Sequence, residues 1–109
     1  MRLWGVLRLL AEFSIFPVGS GVSLSKYVAR SIELIERSGL PYRVNAMGTV
    51  VEGDYDDVMA LIKKCHMGMR KDNARIVTII KIDDRKGNRG RLQGKVESVQ
   101  RKVRFKIKK

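Results

Sequence analysis

The sequence of 109 residues has one cysteine, one histidine and few aromatic side chains. A lone cysteine cannot form an intramolecular disulfide, and Cys65 with His66 falls short of a metal-ligand set. On a helix these neighbours point about 100° apart, which excludes a nucleophile–base pair between them. No nucleophile, base and oxyanion-stabilising set converges in the sequence. We therefore expect a protein of a reducing compartment, the cytoplasm, without a metal, a cofactor or a catalytic activity.

A long uninterrupted apolar run is also missing. Residues 1–16 are rich in Leu, Val, Ile and Phe, but Arg8 and Glu12 interrupt them. A membrane-spanning helix needs about 20 apolar residues, and a signal peptide needs an unbroken apolar stretch with a small-residue cleavage site. We expect neither, and hence no membrane partner.

Charge is distributed unevenly along the chain, whose formal net charge is +12. Residues 1–60 carry six basic and seven acidic side chains, whereas residues 61–109 carry 17 basic and four acidic ones. A basic half of this kind is typical of proteins that contact nucleic acid or another anionic surface. The nearly neutral N-terminal half is left for a different role.

Hydrophobic periodicity predicts the first elements. Residues 9–17 alternate between an apolar side and a mixed side, which indicates a strand. A helix follows to about Ser38 and ends at Gly39, with Ser23 or Ser25 as its cap. Its apolar residues recur at helical spacing: Leu24, Val28, Ile32 and Ile35.

The next elements are a hairpin, a helix and a strand. Residues 42–47 alternate and residues 49–52 are a β-branched run after Gly48, which predicts two strands joined by a tight turn. Asp54 is a good N-cap for a second helix, and residues 75–83 read as a largely buried fourth strand. The second helix has one apolar stripe: Tyr55, Val58, Met59, Ile62, Cys65 or His66, and Met69.

The order β-α-β-β-α-β predicts an α+β, ferredoxin-like sandwich, with a four-stranded antiparallel sheet and two helices on one face. Apolar spacing adds a C-terminal helix over residues 92–103, which Gly94 weakens. Residues 101–109 are either a frayed basic tail or an edge strand. We expect a single domain over residues 1–109, with a core at 9–100 and a basic tail at 101–109.

The sheet face without helices is the first candidate for a binding site. If the apolar sides of the strands face the helices, its residues are Glu12, Ser14, Phe16, Arg43, Asn45, Met47 and either Thr49 or Glu52. Small hydrogen-bonding groups beside an aromatic ring and a thioether suit a small heteroaromatic ligand. A solvated or subunit-covered face is the alternative.

Other functions of this topology lack their motifs. Sequence-specific RNA recognition needs aromatic side chains on the third strand, where residues 49–52 have none. Residues 18–25 contain no arginine for an acylphosphatase-like anion loop, and Leu24 stands where a dinucleotide fingerprint needs its third glycine. Contact of the basic tail with phosphates remains open as a weak, salt-sensitive mode.

Five segments resemble the small thiamine-binding proteins, a family long catalogued as a domain of unknown function. The segments are residues 12–19 (EFSIFPVG), 23–29 (SLSKYVA), 42–49 (YRVNAMGT), 51–54 (VEGD) and 81–85 (KIDDR). The resemblance covers about residues 9–100. It implies a ferredoxin-like cytosolic subunit that forms dimers and tetramers through its sheets and binds thiamine, or its pyrimidine moiety, without turning it over.

The resemblance also implies a set of ligand-binding residues: Ser14, Phe16, Asn45, Met47, Thr49 and Glu52, with Glu12 as a further candidate. Amide and hydroxyl groups at Ser14, Asn45 and Thr49 can orient an aminopyrimidine, and Phe16 and Met47 can line its slot. Glu52 or Glu12 can oppose the thiazolium cation.

The function expected is therefore binding of thiamine, its pyrimidine moiety or a phosphorylated form, for storage, delivery or sensing. Free thiamine is the leading ligand. The alternative is a ligand-free oligomeric scaffold, or a regulator that reaches nucleic acid through the basic C-terminal half.

Overall fold

The computed structural model describes residues 8–19, 24–85, 97 and 99–107. Up to residue 85 the described part of the chain forms four strands and two helices. They are β1 (Arg8–Pro17), α1 (Leu24–Ser38), β2 (Tyr42–Asn45), β3 (Gly48–Asp54), α2 (Tyr55–Arg70) and β4 (Ile76–Asp83).

The four strands form one antiparallel sheet in the order β2-β3-β1-β4. This order, with helices in both β-α-β connections, confirms the predicted ferredoxin-like α+β fold. Ala11 lies opposite Val51 of β3 on one side and Ile82 of β4 on the other. Directly opposed residues share a face of a sheet, so the register assigns every strand residue to the helix side or to the open side.

The core lies between the sheet and the two helices. On β1 it takes Leu9, Ala11 and Phe13, which are at most 4% exposed. Residues of the loop, β3 and both helices complete the cluster: Ile35, Leu40, Val51, Val58, Leu61, Ile62 and Cys65. Full burial of a large aliphatic side chain contributes about 1.5–3 kcal/mol, so this cluster is the main stabilising element of the domain.

Short polar motifs set the helix boundaries. The side chain of Asp54 accepts a hydrogen bond from the backbone N–H of Asp57 at 2.8 Å, which caps α2 as the sequence predicts. Gly39 follows α1 with φ of +75°, a left-handed conformation that favours glycine and ends the helix. The hydroxyl of Ser38 donates to the carbonyl of Ile35 in the last turn of α1.

Two contacts outside the core join different elements. Arg30 of α1 bonds the carboxylate of Asp72 at 2.7 Å, after the end of α2. This bond, and with it the charges of Arg30, Lys26 and Lys71, lowers the pKa of Asp72 from its usual value. Nδ1 of His66 lies 2.6 Å from the hydroxyl of Thr78 and ties α2 to β4.

The structure corrects several details of the predicted elements. The prediction that the fourth strand is largely buried is wrong, because β4 is an edge strand that is half-buried only over residues 76–78 and exposed over residues 79–83. β2 ends at Asn45, because Ala46 and Met47 form the two-residue turn of the hairpin. Ser25 lies inside α1, whereas Ser23 lies outside the described residues. The predicted apolar stripe of α2 is wrong at Tyr55, which is 55% exposed because it is the first residue of the helix and lies at the edge of the core. Leu61, which the stripe did not include, is buried instead.

The C-terminal predictions are tested in part. Glu97, Val99 and Gln100 are helical, while the rest of the predicted helix before them lies outside the described residues. The chain leaves the helix at residue 101, residues 101–105 form turns and bends, and residues 106 and 107 have no regular structure. The edge-strand alternative is therefore wrong for this part of the tail. Its backbone bonds are local instead, with Gln100 bonding both Phe105 and Ile107.

Candidate binding cleft between helix α1 and the β2–β3 hairpin

A cleft of about 210 Å³ opens between one end of the sheet and helix α1. Its walls are the last part of β1, the β2–β3 hairpin and the middle of α1. The lining residues are Phe13, Ser14, Ile15, Phe16, Val28, Ser31, Ile32, Ile35, Val44, Asn45, Ala46, Met47, Gly48 and Thr49. We call this the hairpin cleft.

The cleft exists because α1 covers only part of the helix side of the sheet. Tyr27 and Ile35 of α1 are buried, at 4% and 1% exposed, but Val28 is 45% exposed and Ile32 is half-buried. Val28 and Ile32 belong to the stripe that the sequence assigns to the core. The β2–β3 hairpin is short. The turn of α1 that carries Val28 and Ile32 therefore faces open space beside the tip of the hairpin. These apolar side chains form one wall of the cleft.

Hydrogen-bonding groups are placed around an otherwise apolar lining. Ser31 and Thr49 bring hydroxyl groups to the helix side of the cleft. Ser14 and Asn45 border it at the end of the sheet, where the register puts the Ser14 hydroxyl and the Asn45 amide on the open side of β1 and β2. No charged side chain lines the cleft among the residues that the structure describes. Such a lining fits a flat ring with a few polar atoms at its edge, and it has no positive charge to pair with a phosphate.

Five of the six residues implied by the resemblance line this cleft: Ser14, Phe16, Asn45, Met47 and Thr49. They come from β1, from β2 and from both sides of the hairpin turn. Met47 is 88% exposed at the tip of the hairpin, so it borders the mouth of the cleft. The structure thus brings together residues that are about 30 positions apart in the sequence.

Thr49 and Glu52 lie on different sides of the sheet. Thr49 is opposite Phe13, a core residue, and therefore faces the helix side. Glu52 is opposite Leu10 on the open side. The sequence pattern could not decide which of the two residues is on the open face, and the strand register shows that it is Glu52.

The two carboxylates expected to oppose a cation do not line the cleft. Glu52 is 4% exposed, and the guanidinium of Arg8 donates to its backbone carbonyl at 3.4 Å. Its side chain has contacts of its own and lies toward the far end of β3. Glu12 is exposed and lies next to Gly48 of the cleft lining, since a Cβ atom built on Gly48 would lie 3.4 Å from the Cγ of Glu12.

Sequence reasoning missed the residues that α1 contributes. Ser31 was not singled out, and Val28 and Ile32 were assigned to the core. Helical spacing cannot separate a position that packs on the sheet from one that faces a gap beside it. Ser31 is a polar residue beside the apolar stripe of α1. This is the one signal in the sequence that this face of the helix borders a cleft.

Residues 11–100 match the family model described as thiamine-binding protein. The match spans most of the chain, and the chain belongs to this family. UPF0045 protein MJ1052 of Methanocaldococcus jannaschii is 39% identical over 92 residues, which are 84% of this chain and 92% of the relative. UPF0045 protein YqgV of Bacillus subtilis is 33% identical over 96 residues, which cover 83% of this chain and 92% of the relative.

Solved structures show the same fold. The crystal structure of MJ1052 superposes with a TM-score of 0.78 at 39% identity and covers 85% of this chain and 96% of its own. A Thermotoga maritima protein whose suggested role is thiamine biosynthesis or salvage superposes with a TM-score of 0.74 and covers 84% and 98% of the two chains. At 24% identity this second likeness concerns the fold alone.

Three further findings concern membrane spans, the cysteine and metal-ligating groups. Neither helix that the structure describes is long and apolar enough to cross a membrane. Cys65 is a free, buried thiol, and its burial raises its pKa. Over the same described residues, no group of three His, Cys, Asp or Glu side chains is arranged to hold a metal ion.

Proposed function

We propose that this protein binds thiamine in the hairpin cleft, through its aminopyrimidine ring and without catalysis. Membership of a binding-protein family supports the ligand, and the coincidence of five family positions in one cleft supports the place. The cleft volume of about 210 Å³ suits one small ring system and little more. Storage, delivery or sensing of the vitamin is the role that such binding serves.

The polar groups have complementary tasks in this proposal. The amide of Asn45 can donate and accept along one edge of the aminopyrimidine, and the hydroxyls of Ser14 and Thr49 serve its remaining polar atoms. Phe16 and Met47 cover the ring faces. The thiazolium ring then lies toward the cleft mouth, where Glu12 is the nearest of the two predicted carboxylates.

The absence of a cation among the described lining residues favours free thiamine over its phosphates. A phosphate group carries up to two negative charges and is bound in proteins by Arg, Lys or backbone N–H groups. A phosphorylated form would have to leave its phosphate outside the cleft, in solvent.

We also propose that the subunit self-associates as a dimer or tetramer in the cytoplasm. Its edge strand β4 exposes large apolar side chains at Ile79 (56%), Ile80 (37%) and Ile82 (41%). Ile80 and Ile82 are on the helix side of this edge strand and Ile79 is on the open side. An exposed edge strand with apolar side chains is typical of surfaces that pair with another chain. The free thiol of Cys65 agrees with a reducing compartment.

The basic tail supports a second candidate function, weak contact with nucleic acid. Four cationic side chains are exposed there: Arg101, Lys102, Arg104 and Lys106. Retention of the protein on a polyanion should then fall with salt and be lost when residues 101–109 are deleted. Retention that survives the deletion would remove the tail from this role.

Calorimetric titration with thiamine at about 0.15 M salt tests the main proposal, because surface electrostatics are largely screened there. We expect saturable binding near one thiamine per chain and at least tenfold weaker binding by Asn45→Ala, about 1.4 kcal/mol. Arg43→Ala is the matched control, since Arg43 lies on the same strand but does not line the cleft. Absent binding by the unaltered protein, or equal losses in both variants, would contradict the proposal.

A further inference from the structure

A second and larger cleft, of about 700 Å³, lies on the helix side of the sheet. It is formed by the start of β1, the end of α1 with the loop that follows, and the first half of α2. Its lining residues are Arg8, Leu34, Arg37, Ser38, Gly39, Leu40, Pro41, Asp57, Ala60, Leu61 and Lys64. None of them lines the hairpin cleft, so this basic cleft is a separate cavity.

Positive charge dominates the basic cleft, unlike the charge-free hairpin cleft. Three cationic side chains line it, from Arg8, Arg37 and Lys64, against one carboxylate, from Asp57. Asp57 lies in the first turn of α2, where the helix dipole favours a negative charge. The lining therefore has a formal net charge of +2.

Two of these cations are available to a ligand. Arg37 and Lys64 are exposed, and neither has a side-chain hydrogen bond or ion pair with another residue that the structure describes. Arg8 is half-buried and donates to the carbonyl of Glu52. Arg37 projects from the last turn of α1 and Lys64 from the middle of α2, so the two charges approach the cavity from different helices.

The same cavity has apolar walls. Leu40 and Leu61 are 9% and 4% exposed, and Leu34 is half-buried beside them. A guanidinium fork and an ammonium group together match a dianion better than a single carboxylate, and the leucines favour a carbon skeleton attached to it. The volume lies within the range of small-molecule sites.

We propose that the basic cleft binds a small organic phosphate, whose anionic group contacts Arg37 and Lys64 and whose carbon body packs on Leu34, Leu40 and Leu61. This site does not depend on thiamine binding, because it shares no residue with the hairpin cleft. It gives the protein a second ligand of opposite charge to thiamine.

Phenyl phosphate is a suitable probe, because it joins an apolar ring to a phosphate dianion. We expect saturable calorimetric binding near one per chain at about 0.15 M salt, weaker binding of inorganic phosphate, and no measurable binding of uncharged benzyl alcohol. The double variant Arg37→Gln/Lys64→Gln should bind phenyl phosphate at least tenfold more weakly than the unaltered protein.

A control variant with the same change of net charge distinguishes binding in the basic cleft from nonspecific attraction of an anion to a basic protein. Lys26→Gln/Lys63→Gln removes two exposed cations from the same two helices, outside the basic cleft. We expect its affinity to stay within twofold. Equal losses in the two double variants, or no saturable binding by the unaltered protein, would overturn the proposal. Thiamine affinity, measured in parallel, should be the same in all three proteins. The proposal for the basic cleft and the proposal for the hairpin cleft can therefore be contradicted independently.

Discussion

Thr49 lies directly opposite Phe13 in the pairing of β3 with β1. Phe13 is 4% exposed in the core, so the side chain of Thr49 is held on the helix side of the sheet, next to the hairpin turn. Its hydroxyl thereby lines a cleft whose other wall is α1. The candidate site is thus built into the end of the two-layer sandwich, where Thr49 is on the helix side and Ser14 and Asn45 are on the open side of their strands.

Filling the hairpin cleft should prevent thiamine binding without unfolding the protein. Val28 is 45% exposed and lines the cleft from α1, so Val28→Trp places an indole in the cavity. We expect at least tenfold weaker thiamine binding by calorimetry and a similar melting temperature. Ala29→Trp is the control, because Ala29 is exposed on the same helix and does not line the cleft. Unchanged affinity in Val28→Trp would place thiamine elsewhere.

Loss of the Glu52 side chain should affect stability and not thiamine affinity. Glu52 is 4% exposed, has its own contacts and does not line the hairpin cleft. Glu52→Ala removes a buried side chain together with its interactions, which costs about 1–3 kcal/mol. Urea unfolding should show this decrease, while thiamine titration of the folded variant should match the unaltered protein. A tenfold loss of affinity would make Glu52 a ligand residue after all.

The hydrogen bond between His66 and Thr78 should contribute measurably to packing of α2 on β4. Thr78→Val keeps the shape of the side chain and removes the hydroxyl that lies 2.6 Å from Nδ1. We expect the free energy of unfolding to fall by about 0.5–1.5 kcal/mol. If Thr78→Val unfolds at the same urea concentration as the unaltered protein, this contact contributes nothing net.

Acid should weaken the domain partly through Asp72. Its hydrogen bond from Arg30 lowers its pKa in the folded protein below the usual value near 3.9. As the pH falls below about 4, the unfolded chain takes up this proton first, so the contribution of the pair is present above that pH and is lost below it. Between pH 6 and pH 3, urea unfolding should show a larger loss of stability for the unaltered protein than for Asp72→Asn. Equal losses would show that the pair is not coupled to folding.

The fold was accessible from the sequence because its signals are local. Alternation in β1, the β-branched run after Gly48 in β3 and the cap at Asp54 each identify an element without reference to its neighbours. Gly39 likewise ends α1 where the sequence predicts. Element order then leaves few topologies to consider.

The site was accessible only in part, because it depends on where α1 lies over the sheet. Alternation placed Ser14 and Asn45 correctly on the open-face side of their strands. It could not show that the end of this strand pair borders a gap lined by Val28 and Ser31, since helical spacing does not specify lateral position. The burial of Glu52 was missed for a related reason, because its contacts lie outside the local pattern.

The central claim is that thiamine occupies the hairpin cleft, and chemical-shift mapping of the ¹⁵N-labelled protein tests it most directly. Saturating thiamine should shift the backbone amide signals of Ser14, Phe16, Asn45 and Thr49, together with Ser31 on α1. Signals of Lys81 on the open sheet face and Lys64 in the basic cleft should remain in place. Shifts concentrated at Lys81 or Lys64, with the cleft signals unmoved, would contradict the account.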